Sequence, residues 1–543
     1  MIEKFLRELA LKGITVSAAN GELKCRASNG AITEEIRSAI RENKSEILFY
    51  LSQRSTSLPL PLPLDQHFAT DNRAPLSSMQ RGIWFLHHAG GGCSGIRASL
   101  NVSSVLALKG LVNTSLLVES IQIITKRHSA LRTYFVDEGV EIFQQDDLFF
   151  VPKIDLLEIE GGDLQAEIDD VVNKVFDLGE SPPWSASLFK LSSKCHVFLI
   201  NMHHIIADGL SIKLFFQELS EIYSKLSDDL PLSLGLPPLP YANFARWEMS
   251  QDHKQHQAAS SLYWKDKLFC APQYLELPTI CQRPPTRSGE GAVYPFAMAK
   301  DELSSLHTFC QSQNVTLFMT LLAVFSIVLS RYCNQRDLLV GVPVAVRNHS
   351  ALNKVIGCFV NTVVYRIVIE DGMTFVDLLE QVKKSAAESF VHQHVPFADV
   401  VEAVCNQRSL AYKPLVQVEF NYQKSMLTDL VLPGVEVESL QRNIRTVQND
   451  LSLSIFEKPD EIAGRFEFNT DIYDVSLMER LANSFNLVLN QVMENPFSNI
   501  KDIDVLDAQD RHQLLVEWND TQRDYPQDKC LHELFEAQVE QRP

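Results

Sequence analysis

Two adjacent histidines and an aspartate four residues after them, His203, His204 and Asp208, stand in the stretch NMHHIIADGLS (Asn201–Ser211). An imidazole with a reference pKa of about 6.5 can accept or share a proton at neutral pH. Asp208 could orient such an imidazole directly, or it could pair with an arginine and hold the loop. Gly209 eases the tight backbone that follows. An isolated H-x-x-x-D is weak evidence, because satisfied core histidines are common. The doubled histidine and its setting carry more.

The elements on either side fix that setting. CHVFLI (Cys195–Ile200) is an apolar run suited to a buried strand. SIKLFFQELSEIYSKL (Ser211–Leu226) places Ile212, Leu214, Phe215, Leu219, Ile222 and Tyr223 on one helical stripe. The pair of histidines therefore sits where a buried strand ends, a favoured place for chemistry. Neighbouring side chains on a strand point to opposite faces, so only one histidine can face a given cleft. The other is structural.

The chain has 543 residues, enough for two to four domains. Its 45% hydrophobic and 22% charged residues are the balance of a globular protein. A net charge of −19 argues against nucleic acid or an anionic membrane surface as partner. Ten cysteines without a C-x-x-C pair offer neither a zinc site nor a disulfide framework, and a reducing cytoplasm follows as the expectation. No Gly-rich phosphate loop stands out, so no nucleotide, metal or other bound cofactor is expected. The N-terminus lacks the apolar core of a secretion signal. The longest mostly apolar stretch, Val315–Leu329, is short of the roughly 20 residues of a bilayer span and reads as a buried helix.

Residues 1–54 read as a separate unit of order α-β-β-α, with two short strands around Asn20-Gly21, the strongest short hairpin signal. The unit carries nine basic and seven acidic residues, so it is +2 while the rest is −21. So small a unit buries little, and dimerisation or a groove for a partner would complete it. Residues 55–74 form a linker containing LPLPLPL (Leu58–Leu64), a semi-rigid polyproline spacer. Beyond it the pattern alternates helices and strands, as in α/β proteins. The Pro-rich break Leu230–Pro240 divides this region into lobes of 75–240 and 241–505.

HHIIADG resembles the HHxxxDG signature of condensation domains in nonribosomal peptide synthetases. Six further segments resemble that family's motifs in the same order: PLSSMQRGIWF (Pro75–Phe85), KRHSALRTYF (Lys126–Phe135), YANFARW (Tyr241–Trp247, with Asn243 in place of the usual Asp), IGCFVNTVVYR (Ile356–Arg366), HQHVPF (His392–Phe397) and the stretch around Lys413-Pro414-Leu415. Residues 1–54 are similar to the αββα docking domains of some synthetase subunits. Residues 506–543 look like the linker and opening residues of an adenylation domain, as in a piece of a longer multienzyme. An epimerisation domain normally follows a carrier domain, a heterocyclisation domain would carry aspartates at the two histidines, and plant-type acyltransferases would show a DFGWG-like segment.

The resemblance implies an α/β fold of two chloramphenicol-acetyltransferase-like lobes forming a V-shaped pseudodimer around a tunnel. Carrier proteins would deliver substrates into it on 4′-phosphopantetheine arms, and the acceptor's amine would attack the donor's thioester. The expected partners are an upstream subunit through residues 1–54, donor and acceptor carriers, and the following adenylation domain. His204 would face the tunnel and His203 would be structural. Asp208 would pair with Arg347, or alternatively Arg132, and Gly209 would offer a backbone N–H to the oxyanion or simply permit the turn. Asn361 would help shape the floor between the lobes, with His392 and His394 as further lining candidates. Trp84 and Phe85 are expected in the core. A starter-type domain using a fatty acyl-CoA, and a non-catalytic carrier-binding platform, are the competing readings.

Overall fold

The computed structural model describes residues 14–19 and 22–27. From 72 to 542 it describes all but the stretches 90–93, 160–162, 406–408, 425–429, 441–443, 459–460 and 525–528 and a few single positions. In the N-terminal unit β1 (Ile14–Ala19) and β2 (Glu22–Ala27) run antiparallel with Ala19 opposite Glu22. That register is the one a two-residue Asn20-Gly21 connection dictates. The two helices expected around the hairpin, and the linker up to residue 71, lie outside the described residues.

Two large sheets organise the rest. The first has the order β14 (Val435–Ser439), β4 (Asn101–Gly110), β9 (Cys195–His203), β8 (Trp184–Ser192), β7 (Ile154–Glu158). A small sheet of β3 (Arg73–Pro75), β6 (Ile142–Asp146) and β5 (Thr133–Asp137) accompanies it. The second large sheet has the order β10 (Gly291–Ala297), β16 (Glu461–Asn469), β15 (Leu451–Lys458), β13 (Val418–Lys424), β11 (Asp337–Ala345), β12 (Val360–Val368).

Each sheet has its own core. In the C-terminal lobe the apolar stretch noted in the sequence becomes the helix Leu317–Cys333, buried nearly all round. Thr316 caps its start by accepting the Met319 N–H, and Asn334 ends it in the left-handed region (φ 50°). Among the described residues no single helix is long and apolar enough to cross a membrane. In the N-terminal lobe Leu106 and Phe198 of β4 and β9 pack against Phe215, Phe216 and Ile222 of the helix Gly209–Ser227.

The expected boundary at 240 does not divide the packing. Tyr241, Phe244, the segment Val346–Phe359, Leu430 and Leu432 all join the N-terminal core. β14 pairs with β4 and so adds a strand from residues 435–439 to the N-terminal sheet. The apolar side chains that follow the Pro-rich break still need the first lobe's core for burial.

Candidate active site

β9 delivers His203 and His204 to the edge of the N-terminal core. His203 is its last residue and fully buried, whereas His204 is half-buried. Backbone bonds fix both: the His203 N–H donates to Pro183 O (2.9 Å) and the His204 N–H to Leu100 O (2.8 Å). His203 Nδ1 accepts the Ile205 N–H at 3.2 Å, which leaves Nε2 to donate to His87 Nδ1 at 3.2 Å. Both rings are held neutral. Burial first, and then its histidine neighbours, lowers the pKa of His203 well below the usual value, and burial with His88 and Arg97 lowers His87 to about 4.

The turn after the histidines is clamped from a second side. Gln80, on the helix Ser78–Ala89, donates its amide to Ile205 O at 3.1 Å. Asp208 then caps the helix Gly209–Ser227 by accepting the Ser211 N–H at 2.8 Å. Gly209 is that helix's first residue.

Asp208 is fully buried and its carboxylate is saturated. One oxygen accepts from the Ser211 hydroxyl (2.7 Å) and Arg347 (3.0 Å); the other accepts from Arg347 (3.2 Å) and the Phe359 N–H (3.2 Å). Arg347 also donates to Leu352 O and Val355 O, both at 2.6 Å, and its guanidinium lies 4.2 Å from the Phe359 ring centre. A buried carboxylate so compensated serves as a fastener between the 203–211 turn and the 346–359 segment.

Arg132 goes elsewhere. It forms a bidentate pair with Asp146 (2.9 and 2.8 Å) and binds the carbonyls of Thr125 and Lys126, anchoring the start of β5 instead of the histidine turn. Asn361 clamps the loop after the helix Phe375–His392: its amide donates to Gln393 O (2.8 Å) and Val395 O (2.7 Å), and its oxygen accepts the Phe397 N–H (2.9 Å). His392 stacks on Tyr263 at 4.0 Å and binds the Ser260 hydroxyl at 2.9 Å. Trp84 is buried as expected, but Phe85 is 61% exposed, because on a helix adjacent residues face directions about 100° apart and the Trp84 side takes the core.

Sequence reasoning missed His87, Gln80, Ser211 and Gly357. Ser211 Oγ accepts the Gly357 N–H at 3.1 Å, and the Tyr241 hydroxyl donates to Cys358 O at 2.7 Å. A Cβ on Gly357 would sit 2.0 Å from the Tyr241 ring. Gln80, Ser211 and Gly357 lie within motif-like segments, which was the available signal; His87 carried none. Among the described residues no group of three or more His, Cys, Asp or Glu could hold a metal ion.

The described residues build two α/β lobes, the first of which carries the histidine pair at the end of β9. Comparison with known proteins shows the chain's family. It matches the Condensation domain family over residues 70–515 and the TubC N-terminal docking domain over residues 2–53. The chain belongs to the condensation-domain family of nonribosomal peptide synthetases.

Its relatives include chondramide synthase cmdD of Chondromyces crocatus, 33% identical over 476 residues, covering 86% of this chain and 12% of that protein. Tyrocidine synthase 3 of Brevibacillus parabrevis is 30% identical over 474 residues, covering 86% of this chain and 7% of that protein. The chain thus spans a small part of the curated relatives it matches.

The fold is shared with a four-domain nonribosomal peptide synthetase bound to AMP and glycine (TM-score 0.72, 23% identity, 80% of this chain and 34% of that one). It is also shared with the first condensation domain of the CDA synthetase (TM-score 0.64, 18% identity, 80% and 99%).

Proposed function

We propose that the chain joins a carrier-bound aminoacyl amine to a carrier-bound acyl or peptidyl thioester, the donor arriving from an upstream subunit through residues 1–54. The observation that carries this reading is the asymmetry of the histidine pair. His203 is sealed and bonded on both ring nitrogens, while His204, one residue on, is half-buried on the same rigid turn.

In this reaction the amine nitrogen bonds to the thioester carbon, the C–S bond breaks, and the nitrogen's surplus proton passes to the departing sulfur. An α-amine with a pKa of about 8 is already partly neutral, so removing its proton beforehand is a small task. His204 holds the amine and takes up the proton of the tetrahedral adduct. Fixing two substrates in attacking geometry can offset about 7–11 kcal/mol of barrier, and positioning is therefore its larger part. Asp208 and Arg347 act as positioning residues that hold the turn. Gly209 offers a backbone N–H at a helix start, where the dipole favours a developing oxyanion. Phosphopantetheine arms belong to the carriers, an adenylation domain follows this piece, and the cytoplasm is its compartment.

The test supplies the full chain with an aminoacyl acceptor carrier and, separately, acyl-carrier and acyl-CoA donors, following the acceptor by mass. A gain with the carrier donor alone, lost in His204→Ala, supports elongation. Gain with the CoA donor makes it a starter domain. Wild-type turnover in His204→Ala at saturating carriers would remove His204 from the mechanism, and carrier binding without turnover would leave a platform.

A further inference from the structure

Along β12, the strand that carries Asn361, Val363 and Tyr365 share its face by two-residue alternation, and their cross-strand partners on β11 are Val342 and Val340. The cross-strand partner of Asn361 itself is Val344. With Phe318 and Met319 from the helix Leu317–Cys333, and Ala386 and Phe390 from the helix Phe375–His392, Val344 and Val363 line a cavity of about 260 Å³.

Several of its polar groups are engaged. The Tyr365 hydroxyl is hydrogen-bonded to Ser389, the Tyr422 hydroxyl donates to Glu457, and the Gln393 carbonyl is taken by Asn361. Among the described residues no charged side chain lines it. What the walls offer a guest is aromatic and aliphatic surface.

Place and size complete the argument. The Phe359 N–H rests on Asp208 at 3.2 Å. At about 3.3 Å per strand residue, Asn361 lies roughly 7 Å beyond it, and the cavity wall begins there with Val344 and Gln393. A dry apolar cavity of about 150 Å³ already accepts benzene, so this one takes a phenyl or branched aliphatic group with room to spare. It is smaller than the sites of about 300 Å³ and more that enclose whole drug-sized ligands.

We propose that this cavity is a recognition pocket for an apolar side chain of leucine-to-phenylalanine size on one of the two substrates. The proposal rests on the amide-forming reading above. The same chemistry could come from the acceptor's amino acid or from the donor's acyl group, and the experiment separates them.

With the full chain, alanyl, leucyl and phenylalanyl acceptors are compared at a fixed donor, and then donors bearing the same three side chains at a fixed alanyl acceptor. Wild type and Ala386→Phe, which fills the cavity from its helical wall, are run together. One arm alone is expected to prefer Leu or Phe over Ala by about tenfold or more in kcat/KM. Ala386→Phe abolishes that preference. Calorimetry with non-hydrolysable phenylalanyl- and alanyl-pantetheine amides reads the pocket without catalysis: the phenylalanyl probe binds more tightly to wild type, and the difference vanishes in the variant. If Ala386→Phe fails to fold, Ala386→Leu replaces it. An unchanged preference in the variant, or equal loss for all three side chains at an unaltered melting temperature, overturns the proposal. Absence of turnover with every donor in wild type overturns the amide-forming reading, while the binding contrast still decides the pocket.

Discussion

His203 donates its Nε2–H to His87 Nδ1 across 3.2 Å, although 116 positions separate the two residues in the chain. Because His203 Nδ1 accepts the Ile205 N–H, each ring is confined to one neutral tautomer, and the turn bearing His204 hangs on that pair.

His87→Leu leaves the buried His203 Nε2–H without an acceptor, which costs about 1–3 kcal/mol of stability. His87→Asn, with its side-chain oxygen near the place of Nδ1, costs less. The pair also sets a pH dependence. Between pH 6.5 and about 4 the unfolded chain binds a proton at His87 that the folded one refuses, so stability falls as pH drops through that window. Melting curves of His87→Asn, which cannot titrate there, show a shallower fall over this range than wild type. Equal slopes would separate His87 from the acid sensitivity.

Asp208→Asn turns two accepting oxygens into one and faces an amide against Arg347. Breaking a buried pair of this kind costs about 3–5 kcal/mol. We expect melting temperature and turnover to fall together in Asp208→Asn and in Arg347→Met, with the acceptor's KM rising as the turn loosens. Lost activity at unchanged melting in Asp208→Asn would instead give the carboxylate a direct part in the chemistry.

The strand–turn–helix around His203 to Ser211 was legible because its signals are local: an apolar run, a glycine and a 3.6-residue stripe. The hairpin at Asn20-Gly21 was legible for the same reason. The partners of those residues were not. His87 sits on a helix with nothing in its neighbourhood to distinguish it from His88, and only the third dimension brings it to His203. The return of residues 435–439 to the first sheet was equally hidden, since a short strand reads alike whichever edge it joins. Arg347 came from family resemblance, because spacing cannot tell one buried arginine from another.

Gly357→Ala is expected to lower stability by about 1–3 kcal/mol, as overpacking does, since its Cβ would lie 2.0 Å from the buried Tyr241 ring. Tyr241→Leu in the same chain restores part of the loss by removing the ring edge. Thermal melts of the two single variants and the double variant decide this, and strict additivity would refute the clash.

Glu248 gives the opposite pH signature to His87. Burial raises its carboxyl to about 7, while it accepts the Ser78 N–H at 2.6 Å at the start of the helix Ser78–Ala89. The unfolded chain loses that proton near 4.5, so stability is lost as pH rises from there through about 7. Glu248→Gln keeps the acceptor and removes the titration. Its melting temperature relative to wild type climbs between pH 4.5 and 8; a constant difference would show that the carboxyl is already ionised throughout.

The strand contributed by residues 435–439 also sets an order of events during synthesis. When residue 240 leaves the ribosome, the first lobe still lacks an edge strand and the apolar contacts of Val346–Phe359. At about 5–20 residues per second, the missing strand follows some 10–40 s later. Throughout that interval β4 presents an unpaired edge to the cell, and the nascent lobe depends on its own second half, or on a chaperone, to cover it.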